Sequence, residues 1–418
     1  MLPIVAIGAV ALAGLFLHGC GGDNDNSSED ASTPGGDSSM PTPDTYVPPR
    51  RNSPPVLTIA NNFNAYREWS NEIPFSVSDA DGDNITYAVS SHPGNLGVRI
   101  LENRPGLLRG VLTWAPGCAW SGANPNVRVA MSDNRGGNDE EYVNVAVSNL
   151  VASGRGMIDV NQSLTLCTGS YTGVSFNITA DNVILNGAGS TLREGEVRIA
   201  NMVNVENRRG VRISNIRFVN TNDMVGRYIT MDGCSDGSVS GVTIQGGHGE
   251  GIGIYRSRNM SVARTTINTL GDLAISLDTA NTVNISQVDI TGSGEEVRTD
   301  FRFGLIEMFN SSGVTIISSR ISRSGYLGVG AIGLHSVNNS TVQFTELFQN
   351  NGAAITIDDR SSNDRIAGCN IHDNRGYGIA FGTASRGHTI EDNTFRNNAA
   401  GNVNLRGSNT FRNNMPPL

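Results

Sequence analysis

The 418-residue chain has 38% apolar residues, 6% aromatic residues and a formal charge of −9, enough length for more than one domain but few of the large side chains that fill a single globular core. All 30 basic residues are arginine, so chemistry that needs a lysine base is excluded. The acidic balance indicates no global polyanion-binding surface, and no nucleic-acid partner is expected.

Residues 1–20 hold an apolar run over 2–17 that ends in Leu17-His18-Gly19-Cys20. This resembles a bacterial lipoprotein signal, with Cys20 as the lipid-modified residue, although no Lys or Arg precedes the run. The resemblance implies attachment to a membrane through a lipid anchor. Gly21, rather than Asp, directly after Cys20 implies outer-membrane sorting, and both periplasmic and cell-surface orientations stay open. Residues 21–53 are Asp, Ser, Gly, Asn, Thr and Pro with almost nothing apolar, a composition that forms no core and reads as a disordered tether.

Residues 54–149 change character. Val56-Leu57-Thr58-Ile59, Ile73-Pro74-Phe75-Ser76-Val77, Ile85-Thr86-Tyr87-Ala88-Val89, Val127-Arg128-Val129-Ala130-Met131 and the run at 142–147 alternate apolar and polar at the spacing of a β-sandwich. With Pro54-Pro55-Val56, Asp79-Ala80-Asp81-Gly82-Asp83 and Leu112-Thr113-Trp114, the segment resembles the cadherin-like and immunoglobulin-like modules of bacterial surface proteins, which implies a spacer. Asp79, Asp81 and Asp83 offer the oxygen ligands that calcium requires. They do not follow the EF-hand frame, since Ser90 stands where the bidentate Glu belongs.

Residues 150–418 are expected to form a second domain. Short strands at 157–160, 164–166, 183–185 and 211–218 resemble the capped opening of many β-helices, and from 227 onward the chain repeats. Ile229, Ile252, Ile275, Ile306, Ile332, Ile355 and Ile379 each begin an apolar-x-apolar core, at steps of 23, 23, 31, 26, 23 and 24 residues. A period in the twenties with alternation inside each unit describes a solenoid, because one turn buries its apolar face only when a neighbour stacks on it. Two further apolar pairs per repeat make the coil three-sided. Asparagines recur at the turns, as in Asn350-Asn351-Gly352, Asp392-Asn393, Asn397-Asn398 and Asn413-Asn414; Asn tolerates left-handed backbone, and its amide can bond the same group one coil away.

These repeats resemble the right-handed parallel β-helix proteins, the superfamily that includes pectate lyases and polygalacturonases. The expected fold is all-β: a right-handed parallel β-helix of about ten coils behind an N-terminal β-sandwich. Beyond Cys20 the cysteines are Cys118, Cys167, Cys234 and Cys369. Cys234 and Cys369 lie five coils apart, about 24 Å, so any disulfide must involve Cys118 or Cys167.

Aligned strand cores stack every second residue into outward columns. One reads Thr230, Gly253, Ser276, Glu307, Gly333, Thr356, Ala380; the next reads Asp232, Tyr255, Asp278, Phe309, His335, Asp358, Gly382. The extra length between Ile275 and Ile306 falls beside the middle coils, and long excursions from a solenoid are where binding sites sit. The candidate catalytic residues are therefore Asp278, Glu307, His335 and Asp358, with Tyr255, Arg256, Phe309, Arg298 and Arg302 as contacts. Asp278 and Glu307 form a diagonal of about 8 Å, within the separation expected of an inverting glycosidase. His335 and Asp358 are column neighbours, so the carboxylate is expected to orient the imidazole.

The implied partner is an extracellular polysaccharide, cleaved or modified by a lyase or hydrolase route, with calcium a natural companion of the lyase route. The rival reading is a non-catalytic scaffold for adhesion, glycan binding or docking. Gly247-His248-Gly249 and Asp358-Asp359 are similar to polygalacturonase motifs but stand in reverse order, and the Asn-Thr-Asp signature of that family is missing.

Overall fold

Alternation in the first half of the chain becomes two packed sheets. The computed structural model describes residues 51–417 except 68–69, 91–95, 121–124, 150–155, 221–224, 294–303 and 326. The expected lipidation site at Cys20, the expected signal at 1–20 and nearly all of the expected tether lie outside the described residues.

One four-stranded antiparallel sheet has the order Val56–Ile59, Asn71–Ser78, Leu107–Trp114, Gly97–Arg104. The other has the order Asn62–Arg67, Asn138–Asn149, Asn126–Ser132, Thr86–Ser90, with Asn62–Arg67 parallel to its neighbour. Period 2 turns Ile73, Phe75 and Val77 of one sheet and Val127, Val129 and Met131 of the other inward, around a Trp114 that is 1% exposed. Each such side chain stabilises the module by about 1.5–3 kcal/mol.

From Gly156 on, pairing is parallel throughout. Ile252, Ile275, Ile306, Ile332, Ile355 and Ile379 pair in one unbroken row, and all six are fully buried. That row runs through an eleven-stranded sheet. A nineteen-stranded sheet supplies the other two sides, because its short strands interleave two ladders. One ladder carries Val239, Val262, Ile285, Ile316, Val342 and Ile366. The second carries Ile244, Ile267, Ile290, Ile321, Leu347 and Ile371. Three inward rows of branched aliphatics make the core, and no α-helix occurs among the described residues.

The turns are held as the asparagines suggest. Asn350 donates its amide to Asn374, and Asn374 to Asn398, each at 2.9 Å. The amides of Asn350, Asn374 and Asn398 donate as well to the carbonyls of Ile321, Leu347 and Ile371. All three are at least nine-tenths buried, and an unpaired amide there would cost the solenoid about 1–3 kcal/mol. Asn397 and Asn413 adopt left-handed backbone, at φ 54° and 48°.

Cys118, in a 3-10 turn of the sandwich, is disulfide-bonded to Cys167 in the first coil of the solenoid. Cys234 and Cys369 are buried free thiols, and burial pushes the Cys369 thiol up to about 11.

Candidate functional site

Register places the outward columns where the repeat spacing puts them. On the eleven-stranded face Glu307 pairs with Ser276 on one side and Gly333 on the other, while Phe309 lies between Asp278 and His335. Tyr255 pairs with Asp278 and with Asp232. Asp278 and Glu307 are thus diagonal neighbours.

The side chains then divide the candidates. Glu307, on the strand Gly304–Phe309, has no exposed surface. Its Oε1 accepts from the Gly304 N–H, and its Oε2 lies 2.9 Å from His335 Nε2. His335, at the end of Gly330–His335, has a 14% exposed side chain and stacks on Phe309 with ring centroids 4.8 Å apart and planes 15° from parallel. Gly333 makes room for the carboxylate: a Cβ there would stand 2.4 Å from Glu307 Oε2. Nε2 and Oε2 stand at ion-pair distance rather than in hydrogen-bond geometry, which leaves Nδ1 as the ring nitrogen turned away from the carboxylate. The arrangement is a buried carboxylate that orients an imidazole edge, the pairing general base catalysis uses.

Two sequence expectations are corrected here. Asp358 does not orient His335. The strand Ile355–Ile357 ends before it, and its Oδ1 instead accepts from the backbone N–H groups of Ser336, Arg360 and Ser361 and from the Ser361 hydroxyl, at 2.7–3.1 Å. Asp358 is a turn cap, because Asp side chains at strand ends close onto nearby N–H groups. The Asp278/Glu307 pair also cannot act as two substrate-facing carboxyls, since Glu307 is buried and engaged. Asp278 is half-buried and accepts from Thr279 Oγ1 at 3.0 Å and Asn310 Nδ2 at 3.4 Å.

Tyr255 folds back along its own strand over Gly253, where a Cβ would lie 2.5 Å from its ring. Its hydroxyl donates to Glu250 Oε1, Glu250 is ion-paired with Arg227 at 3.2 Å, and the Arg227 guanidinium lies 5.2 Å from the Tyr255 ring centre. Burial, and then the negative charge of Glu250, hold the Tyr255 hydroxyl well above its ordinary range. Sequence reading missed Glu250 and Arg227. The available signal was their register, 23 residues apart at the same place in successive repeats, inside a glycine-rich stretch. Arg256 pairs with Asp232 and keeps a 72% exposed side chain. Arg298, Arg302 and most of the long insertion lie outside the described residues.

On the sandwich the three expected aspartates part company. Asp79 and Asp83 converge with Asp133 from the neighbouring turn, whereas Asp81, at the exposed tip, accepts from the Ser53 N–H at 2.6 Å.

Residues 296–415 match the family model described as the right handed beta helix region. The solenoid is a right-handed parallel β-helix. Solved structures similar to this β-helix chain include the A-module of the mannuronan C-5 epimerase AlgE6 of Azotobacter vinelandii, at 12% identity over 66% of this chain and 84% of that one, TM-score 0.39. The enzymatically active domain of tailspike protein 2 of bacteriophage CBA120 is similar at 13% identity over 77% and 54%, TM-score 0.49. The DFA-IIIase of Arthrobacter chlorophenolicus A6 is similar at 9% identity over 61% and 81%, TM-score 0.39. Comparison with curated proteins returns no match.

Proposed function

We propose that the eleven-stranded face of the β-helix binds an extracellular polysaccharide and that His335, oriented by Glu307, moves the proton in its cleavage or modification. The observation that carries this reading is the 2.9 Å contact between His335 and a fully buried carboxylate. A solvated surface histidine needs no such partner, and burying a carboxylate away from water is costly unless it is paired.

In the lyase form His335 Nδ1 takes the proton beside a uronate carboxylate, the electron pair forms a carbon–carbon double bond, and the glycosidic oxygen leaves. In the hydrolase form it takes the proton of the attacking water, the new C–O bond forms and the glycosidic bond breaks. Asp278, one strand from Phe309 and two from His335, is placed to meet the leaving oxygen or a sugar hydroxyl.

The same proposal places the protein at the outer membrane through lipid on Cys20, facing the periplasm or the cell surface, with the sandwich as spacer. The Leu17-His18-Gly19-Cys20 sequence supports the anchor, and the Cys118–Cys167 bridge fits an oxidising compartment. A second reading, a non-catalytic glycan-binding scaffold, draws on the mutual engagement of Glu250, Tyr255 and Arg227, which leaves that half of the face pre-satisfied.

The test is turnover of a panel of uronate-containing and neutral polysaccharides, read as new reducing ends and as the ultraviolet absorbance of unsaturated uronate ends. Reducing ends with the absorbance identify a lyase, and reducing ends without it a hydrolase. Binding without either product establishes the scaffold reading, and neither binding nor product on any polymer overturns the proposal.

A further inference from the structure

Asp79, Asp83 and Asp133 are 7%, 7% and 2% exposed, and one carboxylate oxygen from each lies within 4.8 Å of the others. Three carboxylates at this depth repel one another unless a cation is shared among them. The protein supplies one partial answer: Arg135 Nε lies 3.2 Å from Asp83 Oδ1, on a side chain that is 68% exposed. Three negative charges against one positive leave two unanswered.

The hydrogen bonds show which oxygens are engaged. Asp79 Oδ1 accepts from the Asp81 and Asp83 N–H groups. Asp133 Oδ1 accepts from Arg135 and Gly137, and its Oδ2 accepts from the Asn52 amide at 2.6 Å. Asp79 Oδ2 and Asp83 Oδ2 are buried and meet no donor. Two carboxylate oxygens held out of water without a donor are expensive in any module, and side chains pinned by their other oxygens cannot swing away to be solvated.

We propose that Asp79, Asp83 and Asp133 form a calcium site at the end of the sandwich where the tether joins it. The donors are all oxygen, with no His or Cys in the cluster, which selects a hard cation over zinc or copper. The oxygens lie within 4.8 Å of one another, which admits a shared ion with calcium–oxygen bonds of roughly 2.3–2.6 Å, whereas magnesium demands a near-ideal octahedron at roughly 2.0–2.1 Å and sheds its waters reluctantly. The residual charge of two matches a divalent ion. Asn52 is tied to Asp133 and Ser53 to Asp81, so the ion would lock the turns at 79–83 and 133–137 to Asn52 and Ser53, the last residues of the expected tether.

The test uses the purified full chain, treated with chelator and titrated with calcium chloride alone, with bound metal counted after dialysis and melting followed in parallel. The site predicts one calcium per chain, a rise in melting temperature, and at least tenfold weaker binding in Asp83→Asn, a substitution that keeps volume and removes one charge. Asp81→Asn, at the exposed tip, is expected to bind as the parent chain does. If Asp83→Asn does not fold, the parent chain still decides by stoichiometry. No stoichiometric calcium in the parent chain, magnesium binding as tight as calcium binding, or an Asp83→Asn variant with parental affinity overturns the proposal.

Discussion

His335 meets Glu307 across adjacent coils, Nε2 to Oε2 at 2.9 Å, and the carboxylate in that pair has no exposed surface. The pairing exists because a glycine follows Glu307 in the outward column and leaves the carboxylate a place to lie.

Glu307→Gln preserves volume but replaces one accepting oxygen with a donor. The exchange also removes the negative charge that faces Nε2 at 2.9 Å. Turnover is expected to fall about 100-fold or more, and stability by about 1–3 kcal/mol from the mismatched buried pair. Steady-state kinetics on the best polymer and urea unfolding check the two numbers separately.

Gly333→Ala tests the same pair without altering either member. The added methyl would stand 2.4 Å from Oε2 and 2.8 Å from Oε1, so Glu307 must move. A loss of about 1–3 kcal/mol together with a fall in turnover is expected. Gly253→Ala would displace Tyr255 instead and serves as the comparison; equal kinetic loss in both variants would argue against a special role for the His335 pair.

Much of the fold was legible because a solenoid repeats its evidence. The isoleucine row, both outward columns as far as His335 and the asparagine ladder follow from spacing alone. The sandwich was less complete: Gly97–Arg104 and Asn62–Arg67 went unseen because their burial does not alternate cleanly. The site was half legible. Column order brings Asp358 beside His335, but a column says nothing of how a carboxylate turns once its strand has ended, and Asp358 turns onto its own loop. Glu307 looked like an outward, substrate-facing residue; only its burial and the glycine at 333 that gives it room show that it lies against the imidazole instead. Asp133 is 50 residues from Asp83 and was hidden for the ordinary reason that sheet pairing, not sequence, brings two turns together.

Asp364 is the clearest source of pH dependence. It is buried beside His388, with Oδ2 3.4 Å from Nδ1, and Nδ1 accepts from the Asp364 N–H. Burial raises the Asp364 carboxyl above its ordinary value, against the opposing pull of His388 and the Ser340 N–H. A raised carboxyl binds its proton more tightly in the folded state, so its contribution is most favourable at pH below about 4 and declines as pH rises through the folded value. Asp364→Asn removes that titration while keeping the side chain's volume. The variant is expected to match the parent near pH 4 and to be the more stable of the two at pH 7, by urea unfolding at both. Equal differences at the two pH values would contradict this assignment.

The Cys118–Cys167 bridge closes a separation of 49 residues and joins sandwich to solenoid. Replacing both cysteines with serine is expected to cost about 2–4 kcal/mol, read by urea unfolding. Reductant should lower the melting temperature of the parent chain and leave the double variant unchanged.

The most direct measurement of the central claim is turnover by His335→Ala against the parent chain, on whichever polysaccharide the parent processes fastest, with polymer binding measured alongside. The account predicts a fall of roughly 10²–10⁴-fold in turnover with binding within a few-fold of the parent. Turnover that persists undiminished in His335→Ala would contradict the account and move the chemistry away from the Glu307 pair.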